Sequence, residues 1–352
     1  MIFEKLKINK TNLKNRIVIS PMCQYSANNG NPSKWHYKHL SNLSATGASM
    51  VMLESTAIEK SGKISDSDLC LYNDTHVKNL SHLIKYLKKR NDIKLGIQIS
   101  HSGRKGSSHL PWEKFNMPLK GKNSWQTYAP SAIRRDNHWP FPKKLTIAQI
   151  KKLIEYFKKS AILANKSGFD CLEIHMAHGY LLHQFFSPIS NKRDDNYGGN
   201  LENRSRLLIE IASTIRKVWP KNKILGARIT GSDHLKKGVK VKDSIYLIKK
   251  LKKQGIDYVS VSSGGILPKT NMKKGEAFRA KMTKKIKNET NMITTTSGEI
   301  TKFTTVENLI KSNTLDFITI ARPVIKNPHW ILHLAKFSKK NDLIPKQYSR
   351  II

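Results

Sequence analysis

Two imidazoles and a phenol crowd together at His175, His178 and Tyr180, in a His-x-x-His-Gly-Tyr pattern. They follow 169–174, a short apolar run that reads as a buried strand. Three proton-capable side chains at one strand end are costly to bury without partners. Held at one position, they can face one substrate with donors for hydrogen bonding and proton transfer. A single histidine near a strand end is more often structural than catalytic. Two at this spacing also suit a metal, but no third Cys, His or carboxylate follows at a familiar ligand spacing.

The elements that must carry these residues alternate regularly. Apolar, strand-like runs cover 16–20, 49–54, 94–98, 170–174, 224–228, 257–262, 292–295 and 316–320. Amphipathic helical stretches fall near 34–47, 75–90, 147–167, 201–217, 242–254, 275–289, 303–312 and 328–339. Such alternation predicts a parallel sheet. Eight units predict a closed (β/α)₈ TIM barrel over 1–352 as a single domain, within the size range of that fold. The long irregular stretch 103–144, with Trp112, Trp125 and Trp139, is an insertion after strand three, suited to a rim or lid.

Polar and special residues gather where those strands end, which is where this fold places its active sites. Ser20, Pro21, Met22, Cys23 and Tyr25 follow strand one, and Ser55 follows strand two. Gln98 closes strand three, with His101 just beyond. Arg228 closes strand five, Gly264 and Gly265 follow strand six, Ser297 and Gly298 follow strand seven, and Ala321 and Arg322 follow strand eight.

The His-x-x-His-Gly-Tyr pattern resembles the old yellow enzyme family, together with the later Ser190-Asn-Lys-Arg193, Asp195, Tyr197-Gly-Gly199 and Glu202-Asn-Arg204. Within it, Ser20-Pro-Met-Cys23 and a late Tyr-x-Arg tail look like the bacterial xenobiotic-reductase branch. The resemblance implies an FMN-dependent ene-reductase that takes hydride from NADPH or NADH and passes it, in ping-pong fashion, to an activated alkene. Ser20, Pro21, Met22, Cys23, Ser55, Gln98, Arg228, Gly298, Ala321 and Arg322 would bind FMN. Arg228 would stabilise the reduced ring edge, and Gly264, Gly265, Gly298 and Arg322 suit a phosphate. His175 and His178 would hold the carbonyl or nitro oxygen of the acceptor, Tyr25 would contact it, and Tyr180 would be the proton donor. Arg350, in the tail 340–352, would reach a neighbouring subunit's site, implying a homodimer or homotetramer. Ala321 stands where the family usually has Gly, and Ser297 where some relatives carry an aromatic ring.

A formal charge of +38 from 63 Lys and Arg against 25 Asp and Glu invites a nucleic-acid partner. The lysines are spread along the whole chain, however, on the polar faces of predicted helices, as expected of a coding bias; no specific nucleic acid is expected. One rival is a tRNA-modifying flavin barrel of the dihydrouridine-synthase type, but the loop at 101–105 lacks the cysteine that chemistry needs. Another is a non-enzymatic basic binding protein, which would not be expected to retain the whole polar set. Three cysteines, Cys23, Cys70 and Cys171, argue for a reducing compartment without disulfides or a clustered iron–sulfur centre. With no leader pattern at the first residues and no apolar run of about 20 residues, the expectation is a cytoplasmic protein with no membrane partner.

Overall fold

Runs rich in Ile, Val, Leu and Met, buried along nearly their whole length, form parallel strands covered by amphipathic helices. The structure, a computed structural model, describes residues 1–348 and Arg350. Its elements in chain order are β1 (Leu6–Ile8), β2 (Thr11–Leu13), β3 (Ile17–Ile19), α1 (Lys34–Ser44), β4 (Met50–Ala57), α2 (Asp74–Arg90), β5 (Lys94–Ser100), β6 (Tyr128–Ala129), β7 (Lys143–Lys144), α3 (Ile147–Ser167) and β8 (Cys171–Met176). There follow α4 (Leu181–Phe186), α5 (Leu201–Val218), β9 (Ile224–Thr230), α6 (Val241–Lys253), β10 (Tyr258–Ser262), α7 (Ala280–Thr290), β11 (Ile293–Thr296), α8 (Phe303–Lys311), β12 (Ile318–Ile320), α9 (Arg322–Lys326) and α10 (Trp330–Phe337).

Eight strands pair in parallel in the order β11, β10, β9, β8, β5, β4, β3, β12. The seam between β11 and β12 is drawn together by Asp316. Its amide donates to the Thr294 carbonyl at 2.9 Å, and its carboxylate accepts the Thr294 amide at 2.8 Å. The result is the expected (β/α)₈ barrel, with every expected strand and helix in place. The main apolar core lies between strands and helices, as with Ile97, Leu172 and Ala227 packed against Leu83, Phe157 and Leu208. A smaller cluster of Leu6, Ile8, Leu13, Val18, Met50, Met52, Cys171, Tyr258 and Phe317 fills the barrel's lower interior. Because it includes Leu6, Ile8 and Leu13, the antiparallel β1–β2 hairpin plugs that end.

Several expected boundaries are corrected. β4 runs through Ser55 to Ala57, β5 passes Gln98 to Ser100, β8 includes His175, and β9 passes Arg228 to Thr230. In sequence the polar residues there read as strand terminators. They are inward-facing strand residues, because alternation along a strand sends every second side chain into the barrel. The helix expected from 275 begins at Ala280. Gly275, at φ 153°, and Ala277, at φ 51°, hold the preceding residues in a loop. Helices α4 and α9 had no separate expectation. The insertion after β5 carries only the short β6–β7 pair and single turns. Arg193 pins it to the barrel by donating to the carbonyls of Pro130 at 2.8 Å and Leu145 at 2.7 Å, while pairing with Asp195 at 2.6 Å.

Candidate active site

Alternation along β8 places Cys171, Glu173 and His175 at successive levels inside the barrel, and the ladder to β9 sets His175 beside Arg228. Glu173 is buried and accepts two hydrogen bonds, from Gln98 Nε2 at 2.6 Å and from the Tyr258 hydroxyl at 2.8 Å. Burial pushes its carboxyl up, opposed chiefly by the positive charge of Arg228. Gly226 makes this layer possible, because a Cβ there would come within 2.2 Å of the Tyr258 ring. One N–H of the Gln98 amide is thus engaged with Glu173, which leaves its second N–H and its carbonyl oxygen.

Above this layer the chain turns sharply. His178 has φ 58° and Gly179 φ 72°, and Tyr180 starts α4. Gly179 and Gly265 touch backbone to backbone. A Cβ on Gly179 would lie 2.0 Å from the Gly265 carbonyl oxygen, and one on Gly265 would lie 2.8 Å from the His178 backbone. This corrects the phosphate role expected of Gly264 and Gly265. Neither lines the cavity at strands seven and eight, and Gly265 is needed for the close approach of this turn. His183 braces the same turn, its Nδ1 accepting the Gly179 amide at 2.8 Å. Its Nε2 lies 2.9 Å from Asp233, and both side chains are wholly buried.

Hydrogen bonds order the two histidines. His175 Nδ1 accepts the Ala177 amide at 3.2 Å, so its proton sits on Nε2, which lies 3.3 Å from His178 Nδ1. His178 Nε2 lies 2.5 Å from the Ser262 hydroxyl. Burial, and then Arg228, pushes both rings well below the ordinary histidine range, so both are neutral. His175 Nε2 and His178 Nδ1 thus converge on one point. A hydroxyl both donates and accepts, so Ser262 can support His178 with its proton on either nitrogen. The Tyr180 ring stands edge-on to His175 at 4.9 Å, and its hydroxyl makes no hydrogen bond among the described residues. Burial, with Cys23 next, pushes that phenol up.

Arg228 is buried. Its Nη2 donates to Ser297 Oγ at 3.1 Å, and its Nε has no partner. It faces a cavity of about 560 Å³ that Ser20, Pro21, Gly298, Ala321 and Arg322 also line. Ala321 has φ −128°, compatible with its side chain, and opens α9. Thr319 lines this cavity too, and its buried hydroxyl is unpartnered. Arg279, which falls in the stretch expected as helix from 275 to 289, lies here as well. Its Nη1 donates to the Ser297 carbonyl at 2.7 Å and its Nε to Ser263 Oγ at 2.8 Å, and burial pushes it down to about 10. A cavity of this size, with unpartnered polar atoms and three guanidiniums, suits a planar group ending in a phosphate.

The loop after β3 forms a third wall. The Glu54 carboxylate accepts the Gln24 amide and His36 Nε2, the latter at 2.8 Å, and so fixes the loop carrying Met22, Cys23 and Tyr25. Cys23 is a free thiol pushed up by burial and then by Glu54. Tyr25 has φ 49° and packs edge-on to Trp112 of the insertion, their ring centres 6.1 Å apart. Ser55 is buried at the bulge where the β4–β5 register shifts. Arg350 is exposed and lies beside undescribed residues of the tail 340–352.

Among the described residues no cluster of three or more Cys, His, Asp or Glu is placed to hold a metal, and no helix is long and apolar enough to cross a membrane. Glu173, Arg279, Lys105 and the His183–Asp233 pair were missed from sequence, and Ser262 stood out only as a polar residue at the end of strand six. Of those missed, only Glu173 carried a signal, as a carboxylate inside an apolar strand.

A barrel with this cavity beside a histidine–tyrosine wall defines a class, and comparison gives the family. The model of the NADH:flavin oxidoreductase / NADH oxidase family matches residues 1–341. The chain belongs to that family, of the old yellow enzyme type, and is an FMN-dependent oxidoreductase. It is 39% identical over 351 residues to the NADPH dehydrogenase of Clostridium acetobutylicum, covering 99% of this chain and 98% of that protein. To the NADPH dehydrogenase of Bacillus velezensis it is 34% identical over 351 residues, with the same coverage. Among solved structures, morphinone reductase superposes with a TM-score of 0.79 at 20% identity, over 96% of this chain and 89% of that one.

Proposed function

We propose that this chain is an ene-reductase that oxidises NADPH and reduces the activated C=C bond of an α,β-unsaturated carbonyl or nitro compound. Full-length similarity to NADPH dehydrogenases supports NADPH as reductant. The observation that carries the acceptor class is the convergence of His175 Nε2 and His178 Nδ1, 3.3 Å apart and neutral, beside the free Tyr180 hydroxyl.

Bound FMN supplies hydride transfer. Arg228 would face the charge that gathers on its reduced ring edge, Ser20 to Cys23, Ser55 and Gln98 would border the ring, and Gly298, Ala321 and Arg322 would hold its phosphate. NADPH and acceptor use one pocket in turn, a ping-pong order, with Tyr25 against the acceptor. An acceptor oxygen placed between the two histidines takes a hydrogen bond from each, with Ser262 donating to His178 Nε2 so that Nδ1 carries the proton. Negative charge developing on that oxygen strengthens both bonds. Tyr180 then delivers its phenolic proton to the α-carbon.

The test is anaerobic. Protein reduced with one equivalent of NADPH is mixed with 2-cyclohexenone, and bleaching, recolouring and product are followed. Flavin recolouring with cyclohexanone as product is expected; reoxidation by oxygen alone, with no saturated ketone, overturns the acceptor class. Arg350 is assigned to a neighbouring subunit's site in a homodimer or homotetramer. Truncation before Tyr348 is expected to raise the KM for acceptor with flavin content retained, and a monomer in light scattering contradicts it.

A further inference from the structure

Lys105 is a half-buried lysine that has no role in the reading above. It lies at the end of a single turn just after β5. Its Nζ donates to the His178 carbonyl at 2.8 Å and stands 4.7 Å from the centre of the Tyr180 ring. The anchoring carbonyl belongs to the same turn that presents Tyr180, so amine and ring are held together.

The charges that act on it most strongly are cations. Arg104, its neighbour, is spent on the carbonyls of Ile133, Arg134 and Ile266. Arg135, from the insertion, lies over Trp139 and donates to Asn116. Across the site, the β3 loop offers the Cys23 thiol and the Tyr25 phenol, the Asp68 carboxylate acts on Tyr180 from beyond them, and the β8 turn offers neutral His178 and the Tyr180 phenol. Arg228 adds a further cation beyond the histidines. Among the described residues Lys105 has no ion-pair partner, whereas Lys88 and Lys287 each have one. A cation withdrawn from water without an anion is costly. Desolvation, then Arg135 and Arg104, accordingly pushes Lys105 down to about 7. That cost is relieved by loss of the proton or by an anion forming beside it.

We propose that Lys105 is a positioning residue for proton donation, its ammonium stabilising the Tyr180 phenolate that remains after the proton has left. The proposal rests on Tyr180 being the proton donor. In that step the Tyr180 O–H bond breaks, a C–H bond forms at the acceptor's α-carbon, and the O–H electron pair stays on the phenolate oxygen. The adjacent cation lowers the energy of that oxygen and its ring. Water then restores the phenolic proton.

The test uses the FMN-loaded enzyme, reduced with NADPH and mixed with 2-cyclohexenone, at pH values on both sides of neutrality. In the parent enzyme the reoxidation rate falls as pH rises through about 7, because the ammonium loses its proton there. Lys105→Met slows reoxidation roughly 10- to 100-fold, more than it slows reduction by NADPH, and abolishes that limb. Lys105→Arg keeps most of the rate and moves the limb out of range; it also serves if the Met variant loses flavin. In a Tyr180→Phe background Lys105→Met adds no further slowing. Full additivity there, or a limb that survives in Lys105→Met, overturns the proposal and leaves the Tyr180 reading standing. If Tyr180→Phe alone does not slow reoxidation, the donor reading itself fails.

Discussion

The two sides of the barrel mouth are built differently. The wall from β8 to β10 is wired internally. The His175, His178 and Ser262 chain and the Glu173, Gln98 and Tyr258 layer are hydrogen-bonded within the protein, and His183 and Asp233 face each other as a close buried pair, although His183 Nε2 and Asp233 Oδ1 meet outside hydrogen-bond geometry. The wall from β11 to β12 is not. The Thr319 hydroxyl is buried without a partner, Arg228 reaches across from β9 with its Nε likewise unpartnered, and Arg322 is exposed, its nearest acidic oxygen 4.0 Å away on Glu299. Groups that must hold fixed geometry toward reacting atoms are pinned by protein. Groups that receive a permanent cofactor leave their hydrogen bonds for it to complete. Perturbing the first side should therefore cost structure and turnover, and perturbing the second should cost cofactor affinity.

The strongest way to break the comparison is to remove the brace. His183→Ala leaves Asp233 buried without its partner and frees the Gly179 amide. Breaking a buried pair in this way costs about 3–5 kcal/mol. A fall in Tm and in acceptor turnover larger than the fall in FMN affinity is expected from melting curves, steady-state rates and flavin titration. An unchanged Tm, or loss of FMN binding alone, would show that the wall is not pinned by His183.

A smaller effect is expected one layer down. Glu173 accepts from two donors, as an ionised carboxylate does, and faces Arg228. Glu173→Gln removes that negative charge and leaves Arg228 uncompensated. Reduction adds an electron pair to the ring nearby, so the flavin midpoint potential should rise by on the order of tens of millivolts. Spectroelectrochemistry measures it, and an unshifted potential would mean that the carboxyl is already protonated.

The same contrast explains what could be read from sequence. Strand and helix periodicity was plain, because each run is long and apolar on the side that packs. His175, His178, Tyr180 and Arg228 stood out because costly residue types sat in or just after apolar runs. The supports were hidden. Asp233 meets His183 and Ser262 meets His178 only through packing, across 50 and 84 residues of chain. Arg279 fell inside a lysine-rich stretch that reads as helix, and the positive φ at Ala277 that ends that reading has no sequence mark. Strand ends were misplaced for a related reason: a polar residue aimed into a barrel looks, in sequence, like the residue that stops the strand.

The smallest effect is expected at the open side. The Arg322 side chain is 75% exposed and only loosely opposed by Glu299. Its contribution to a bound phosphate is that of a mostly solvated charge, for which water and salt offer substitutes. Arg322→Ala should therefore weaken FMN binding by roughly fivefold, about 1 kcal/mol. Most of that difference should vanish at high ionic strength, while turnover of flavin-loaded protein stays close to the parent. Flavin fluorescence titration at low and high salt reads both quantities. A large, salt-insensitive loss would mean that Arg322 closes over the phosphate into a desolvated contact. The open side would then become as fixed as the histidine wall once cofactor is bound, and the contrast between the two sides would belong to the empty barrel alone.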